Sequence, residues 1–228
     1  MISPRSDHGS GTPCGCRQKM VLATSNRGKL AEFQSLLAGL PFELVSATDL
    51  LGERWTVDED GDTFEANARK KAREVAQATG VLTLADDSGL AVDALGGAPG
   101  VRSARYAGDD ATPSQNVQKL LRAMEHVPEA ERGARFCCVL CVVDPSKAEG
   151  EEVLVRGECE GMIGREPRGG GGFGYDPVFV VQGGDGRTMA ELSPEEKGQV
   201  SHRANAVRML ESLMQTRSCA AIVGQPSQ

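Results

Sequence analysis

Two consecutive aspartates follow a short apolar run. Val81-Leu82-Thr83-Leu84-Ala85 reads as a buried strand and leads directly into Asp86-Asp87-Ser88-Gly89. Carboxylates at the C-terminal end of a strand are a common way to hold Mg²⁺ beside substrate phosphates. The ion favours a few hard oxygen ligands and keeps several waters, and open α/β sheets place ligands at strand ends. Successive strand residues point to opposite faces, so one Asp is expected to face a ligand while the other makes structural hydrogen bonds. The same four residues also fit a plain turn, with Asp capping and Gly supplying positive φ. Asp58, Glu59 and Asp60 offer a second carboxylate for such an ion, or simply a solvated acidic loop ahead of a helix N-terminus.

Other segments suit an anionic ligand with an aromatic part. Thr24-Ser25-Asn26-Arg27-Gly28-Lys29 lies between a strand and a helix. Backbone N–H groups at a helix start favour phosphate oxygens, Thr24 and Asn26 add short polar side chains, and Lys29 adds a cation one turn in. The first glycine of a Walker P-loop is missing, and an ordinary βα turn with an exposed Lys is the competing reading. Gly169 to Gly172 precede Phe173-Gly174-Tyr175-Asp176-Pro177. Glycines permit close backbone approach, Phe173 offers a stacking face for a nucleobase, and Asp176 is an acceptor for ring N–H groups. A flexible hairpin with a core Phe fits equally. Lys197 and Ser201-His202-Arg203 bring several donors and a titratable imidazole.

Cysteines tempt a metal reading less well. Cys137, Cys138 and Cys141 are embedded in Phe, Val and Leu, with Cys138 facing opposite to the other two, so they read as small apolar core residues. Cys14 and Cys16 lie in a polar N-terminal stretch and read as adventitious. Trp55 reads as packing.

The elements that must position these residues follow from periodicity. Met20-Val21-Leu22-Ala23 is a strand, and Leu30, Phe33, Leu36, Leu37 and Leu40 recur at helical spacing. Phe42 to Val45 is a second strand, which makes the opening an α/β signature. Phe64, Ala68, Ala72, Val75 and Ala76 line one helix face, capped by Asp62 or Thr63 and closed by Gly80. Thr112-Pro113 and Ser193-Pro194 start two further helices as capping boxes with Pro at the first position. Ala134 to Val143 and Glu151 to Glu160 form an expected antiparallel pair, Tyr175 to Val181 a short strand, and Ser201 to Gln215 a last helix.

Composition bounds the function. The chain of 228 residues carries 25 Lys+Arg against 32 Asp+Glu, a net charge of −7, which argues against a general binder of nucleic acid polymers. A local basic cluster still admits a small anion. At 39% apolar and 25% charged residues the chain is globular rather than disordered. No apolar run approaches the ~18–20 residues of a membrane span, and seven cysteines without framework spacing read as reduced thiols of a cytoplasmic protein. Residues 1–19 are polar and expected to be a disordered extension, 20–217 a single catalytic domain, and 218–228 a disordered tail.

Taken together, Thr24 to Lys29, Ala85 to Gly100, Ser103-Ala104-Arg105-Tyr106, Gly171 to Pro177 and Ser201-His202-Arg203 resemble the inosine triphosphate pyrophosphatase family, whose bacterial members are called XTP/dITP diphosphatases. Order and spacing match over essentially Met20 to Arg217. The resemblance implies an α/β fold, an elongated mixed sheet with flanking helices and two lobes around a nucleotide-binding cleft. It implies Mg²⁺-dependent hydrolysis of ITP, dITP and XTP to monophosphate and pyrophosphate by a homodimer, which clears deaminated purines from the nucleotide pool. Mapped onto this chain, it gives Thr24, Ser25, Asn26, Arg27, Gly28 and Lys29 to the triphosphate, with Lys29 stabilising developing charge. Asp87 becomes the metal ligand and proton acceptor, Glu59 the partner carboxylate, and Ser88 lies beside the substrate. Phe173, Gly174, Tyr175, Asp176, Lys197, His202 and Arg203 go to the nucleotide. Ser25 departs from a glycine common in the family, and the N-terminal extension is unusual. Alternatives are a pyrophosphatase for other modified nucleotides, a phosphatase releasing single phosphates, or a nucleotide-binding regulator without turnover. The presence of both Asp87 and Lys29 argues against the last.

Overall fold

The structure, a computed structural model, describes residues 17–52, 55–147 and 151–223. Six strands make one mixed sheet: β1 (Gln18–Leu22), β2 (Phe42–Ser46), β3 (Thr83–Val92), β4 (Gly133–Val143), β5 (Glu152–Ile163) and β6 (Phe179–Val181). Their spatial order is β2-β1-β3-β4-β5-β6. β1 runs parallel to both β2 and β3, whereas β3, β4, β5 and β6 are antiparallel in sequence. Helices α1 (Arg27–Leu36), α2 (Ala47–Leu51), α3 (Phe64–Thr79), α4 (Pro113–Ala123), α5 (Pro194–Val200) and α6 (His202–Val223) flank it. The mixed α/β architecture expected from the sequence is therefore the one observed.

Alternation along β4 divides the core. Cys137, Val139 and Cys141 face α3, meeting Ala68, Ala72 and Val75. Cys138 and Leu140 face the other side, with Phe33 of α1 and Leu210 of α6. Burial pushes the Cys138 and Cys141 thiols up to about 12, consistent with inert apolar packing. A third cluster joins Leu120 of α4 to Phe136, Ile163 and Phe179 at the far end of the sheet. Thr63, rather than Asp62, caps α3 through the Ala66 N–H, and Gly80 ends it in the left-handed region. Both expected capping boxes form, at Thr112 with Gln115 and at Ser193 with Glu196.

Several boundaries differ from the sequence reading. β3 does not stop at Ala85 but continues through the Asp86-Asp87-Ser88-Gly89 segment to Val92, because β4 pairs with it along its whole length. What ends here is β1, whose pairing with β3 covers only Val21–Thr83 and Leu22–Leu84. Between Tyr175 and Val181 the chain first makes a 3-10 turn, Asp176–Val178, since Pro177 has no N–H for a ladder, and β6 begins at Phe179. The sheet also starts at Gln18, where parallel pairing with Phe42 begins, and α6 runs to Val223. Cys14 and Cys16 lie outside the described residues.

α6 sits directly on β5. A β-carbon at Gly157 would collide with the Ala206 amide nitrogen and the His202 carbonyl. This close approach sets the height of His202 and Arg203 over the sheet. Gly157→Ala is therefore expected to destabilise the fold by about 1–3 kcal/mol, measured by urea denaturation.

Candidate functional site

A cleft of about 540 Å³ opens where β1 stops beside β3. Thr24, Ser25, Asn26 and Lys29 line it at the start of α1, together with Phe173 and Asp176 of the glycine-rich loop. Asp87 and Ser88 also line it.

The two aspartates separate by strand alternation. Asp86 is fully buried and turns toward α1 and α6. Its Oδ2 pairs with Lys29 Nζ at 2.8 Å, accepts from Ser88 Oγ at 2.8 Å, and lies 3.9 Å from Arg203 Nε. Burial alone would raise its pKa, but Lys29, Lys71 and Arg203 together hold it well below the usual carboxylate range. Asp87 points the other way, toward α3. It accepts from Asn67 Nδ2 at 3.0 Å and lies 3.7 Å from Lys71 Nζ. Burial and the neighbouring Glu59 raise its pKa against the pull of Lys71. Asp87 is thus the more basic of the pair, and it is the one that opens on the cleft.

Of the three acidic candidates ahead of α3, Glu59 comes inward. Its Oε1 pairs with Lys71 Nζ at 2.6 Å, while Asp60 turns outward to Lys70 at 2.7 Å. Glu59 and Asp87 therefore converge on one ammonium. Among the described residues no cluster of three or more His, Cys, Asp or Glu forms a metal cage. Two carboxylates facing a polar cleft instead fit Mg²⁺, which is held by one or two carboxylates plus substrate oxygens.

Asn26 caps α1. Its Oδ1 accepts from Gly28 N at 2.9 Å and Lys29 N at 3.1 Å, while Thr24 Oγ1 accepts from Asn26 N at 3.1 Å. Two first-turn N–H groups expected to face phosphate are thus already engaged, and the Lys29 ammonium supplies the positive charge here. Arg27 lines an adjoining pocket with Ser46 and Asp49 rather than the main cleft, and Gly28 faces the Phe173 ring.

Asp176 orders the glycine-rich loop. Its Oδ2 accepts from Phe173 N at 2.9 Å and from Lys197 Nζ at 2.8 Å. Lys197 Nζ and the Arg203 guanidinium each lie 5.0 Å from the Phe173 ring centroid. Glu32 joins them, 3.1 Å from Arg203 and 4.0 Å from Lys197. His202 is buried, stacks on Phe136 at 4.8 Å, and its Nδ1 has no hydrogen-bond partner among the described residues. Burial, with Arg203 and Lys197 nearby, depresses its pKa well below the ordinary value, so the imidazole is neutral at pH 7. Tyr175 is directed away from a stacking role, since its hydroxyl donates to the Ser103 carbonyl at 2.9 Å.

The structure thus brings Lys29, Glu59, Asp87, Ser88, Phe173, Asp176, His202 and Arg203 to one cleft. Sequence reasoning missed Glu32, Asn67 and Lys71. Asn67 and Lys71 carried a signal: they interrupt the apolar stripe of α3 four residues apart, on its buried face. Glu32 follows Lys29 by one turn, but only α6 gives it a purpose.

Residues 20–213 match the Ham1 family. The chain belongs to that family. Its relatives agree over nearly their full lengths. A dITP/XTP pyrophosphatase of Shigella flexneri is 52% identical over 194 residues, 85% of this chain and 96% of that protein. A dITP/XTP pyrophosphatase of Symbiobacterium thermophilum is also 52% identical, over 86% of this chain and 95% of that one. Among solved structures, a HAM1 protein from Coxiella burnetii aligns with a TM-score of 0.77 at 43% identity, covering 87% of this chain and 99% of that chain. The resemblance read from the motifs is borne out, since these relatives carry the dITP/XTP pyrophosphatase name.

In this Ham1-family chain, His202 gives a pH signature. Its folded pKa lies below the ordinary value of 6.5, so the unfolded chain takes up the proton first. Stability is full above that pH and falls as pH drops through it, by up to about 1.4 kcal/mol per pH unit. Urea midpoints at pH 7.5, 6.5 and 5.5 are expected to show this slope, and His202→Gln to flatten it.

Proposed function

We propose that the chain hydrolyses non-standard purine nucleoside triphosphates, namely dITP, ITP and XTP, to the monophosphate and pyrophosphate in the presence of Mg²⁺. The observation that carries this reading is the split pair on β3: Asp86 is locked to Lys29 and Arg203, while the neighbouring Asp87 faces the cleft. The names of the relatives support dITP and XTP among these.

Asp87 and Glu59 would hold the metal ion. When bound, Mg²⁺ offsets charge on the phosphate oxygens. Asp87, open on the cleft, takes the proton of the attacking water. Asp86 fixes the Lys29 ammonium at the triphosphate end, where it meets the charge that develops as pyrophosphate leaves. Held by Asn67 and Lys71, the Asp87 carboxylate keeps its direction through the reaction.

Base choice follows from donors that are already oriented. Asp176 and Glu32 hold Lys197 and Arg203 beside Phe173, so a base stacked there meets cationic N–H donors. Hypoxanthine and xanthine present an oxygen at position 6, where adenine presents an amino donor. Donor facing donor in a buried site leaves both unpaired, which supports roughly 10³-fold discrimination.

The test is product identification with Mg²⁺ and ITP, XTP, GTP, ATP or dTTP. Pyrophosphate is expected from ITP and XTP, with ATP slower by about 10³-fold. Release of orthophosphate would sink the cleavage site, and equal rates on ATP and ITP the base argument. Asp87→Asn is expected to lower turnover by at least ~10²-fold, a usual effect of losing a positioned base, with an unchanged circular dichroism spectrum.

A further inference from the structure

Beyond the point where β1 ends, the open edge of β3 is taken by a 3-10 turn, Gly100–Arg105. Ser103 Oγ accepts from the Leu90 N–H at 2.8 Å and donates to the Gly100 carbonyl at 2.6 Å. The contact is direct: a β-carbon at Gly89 would come within 2.6 Å of Ser103 Oγ. Asn116 of α4 holds the turn from behind, donating to the Ala104 carbonyl at 2.9 Å and accepting from Ala107 N at 2.7 Å. The turn is therefore rigidly tied to the strand that carries Asp87.

From this seat Arg105 reaches the segment ahead of α3. Its guanidinium donates to the backbone carbonyl of Glu59 at 2.8 Å. Among the described residues this is the hydrogen bond that reaches the backbone between Thr56 and Asp60; the next attachment, Gly61 to Asn67, lies two residues on. Without it, the backbone of the segment that presents the Glu59 carboxylate to Asp87 would be hydrogen-bonded only at its ends, and the ion pairs of Glu59 with Lys71 and Asp60 with Lys70 would have to hold it. Ordering such a segment at the moment of binding costs backbone entropy, which weakens the ligand's affinity.

We propose that Arg105 is a positioning residue for the divalent cation: by pinning the Glu59 carbonyl to the β3-bound turn, it fixes the Glu59 carboxylate opposite Asp87. This rests on the reading of Glu59 and Asp87 as the metal carboxylates. Arg105 touches neither substrate nor metal, and its effect appears in metal affinity rather than in the chemical step.

The test uses the full chain and Mn²⁺ alone, titrated by electron paramagnetic resonance without nucleotide. Arg105→Met is expected to weaken Mn²⁺ about tenfold, in the range seen when partners behind a metal ligand are removed. With ITP, the Mg²⁺ half-saturation is expected to rise by a similar factor, while kcat and KM at saturating Mg²⁺ stay within about twofold, a split that general loss of stability would not produce. Glu59→Gln is expected to weaken Mn²⁺ as well, and the double variant to be no worse than Glu59→Gln, because both act through one carboxylate. If Arg105→Met fails to fold, Arg105→Gln, whose amide is too short for the same carbonyl, is expected to show the same loss. Unchanged Mn²⁺ affinity in the Arg105 variant, or losses that simply add, overturns the proposal while leaving the metal carboxylates in place. Unchanged affinity in Glu59→Gln overturns both.

Discussion

The arrangement of this molecule depends on burying two adjacent carboxylates in the middle of a strand. An isolated ionised carboxylate is very costly out of water, so each must be met by cations and donors. Three elements supply them: Lys29 from α1, Lys71 from α3 and Arg203 from α6. The helices are thereby held to β3 by charge as well as by apolar packing. From Arg203 the alternation of sign continues through Glu32 and Lys197 to Asp176, so one chain of ions links the start of α1 to the glycine-rich loop.

Strand geometry then separates two neighbouring side chains of identical chemistry. Asp86 faces a ring of cations and stays ionised as a structural anchor. Asp87, one residue on, faces a mixed group in which burial and Glu59 work against Lys71. The alternation of a strand gives them opposite environments, and with them different proton affinities.

The cleft itself is a product of sheet topology. β1 is short and parallel, whereas β3 is long and continues as part of an antiparallel pair. Where β1 ends, the edge of β3 needs other partners, and the Gly100–Arg105 turn provides one at Leu90. The space between α1, α3 and that turn is what remains for a ligand. Its lining combines a helix start and an ammonium with an aromatic ring flanked by cations.

Local chemistry was legible in the sequence. Periods of two and three to four residues located the strands and helices, and Thr112, Ser193 and Gly80 marked helix ends by their own hydrogen bonding or backbone freedom. The motif residues Lys29, Asp87, Phe173, Asp176, His202 and Arg203 were recognisable by type and order, and they do meet in one cleft. Only the tertiary structure decided which aspartate is anchored and which is open, which of three acidic residues turns inward, and that Glu32, Asn67 and Lys71 belong to the same site. Those outcomes depend on pairing between residues on different elements, such as Asn67 of α3 with Asp87 of β3 or Arg203 with Glu32 across two helices. Periodicity reports only which face a side chain takes on its own element. What that face meets is set by strand order and by where β1 stops, and no local spacing encodes either.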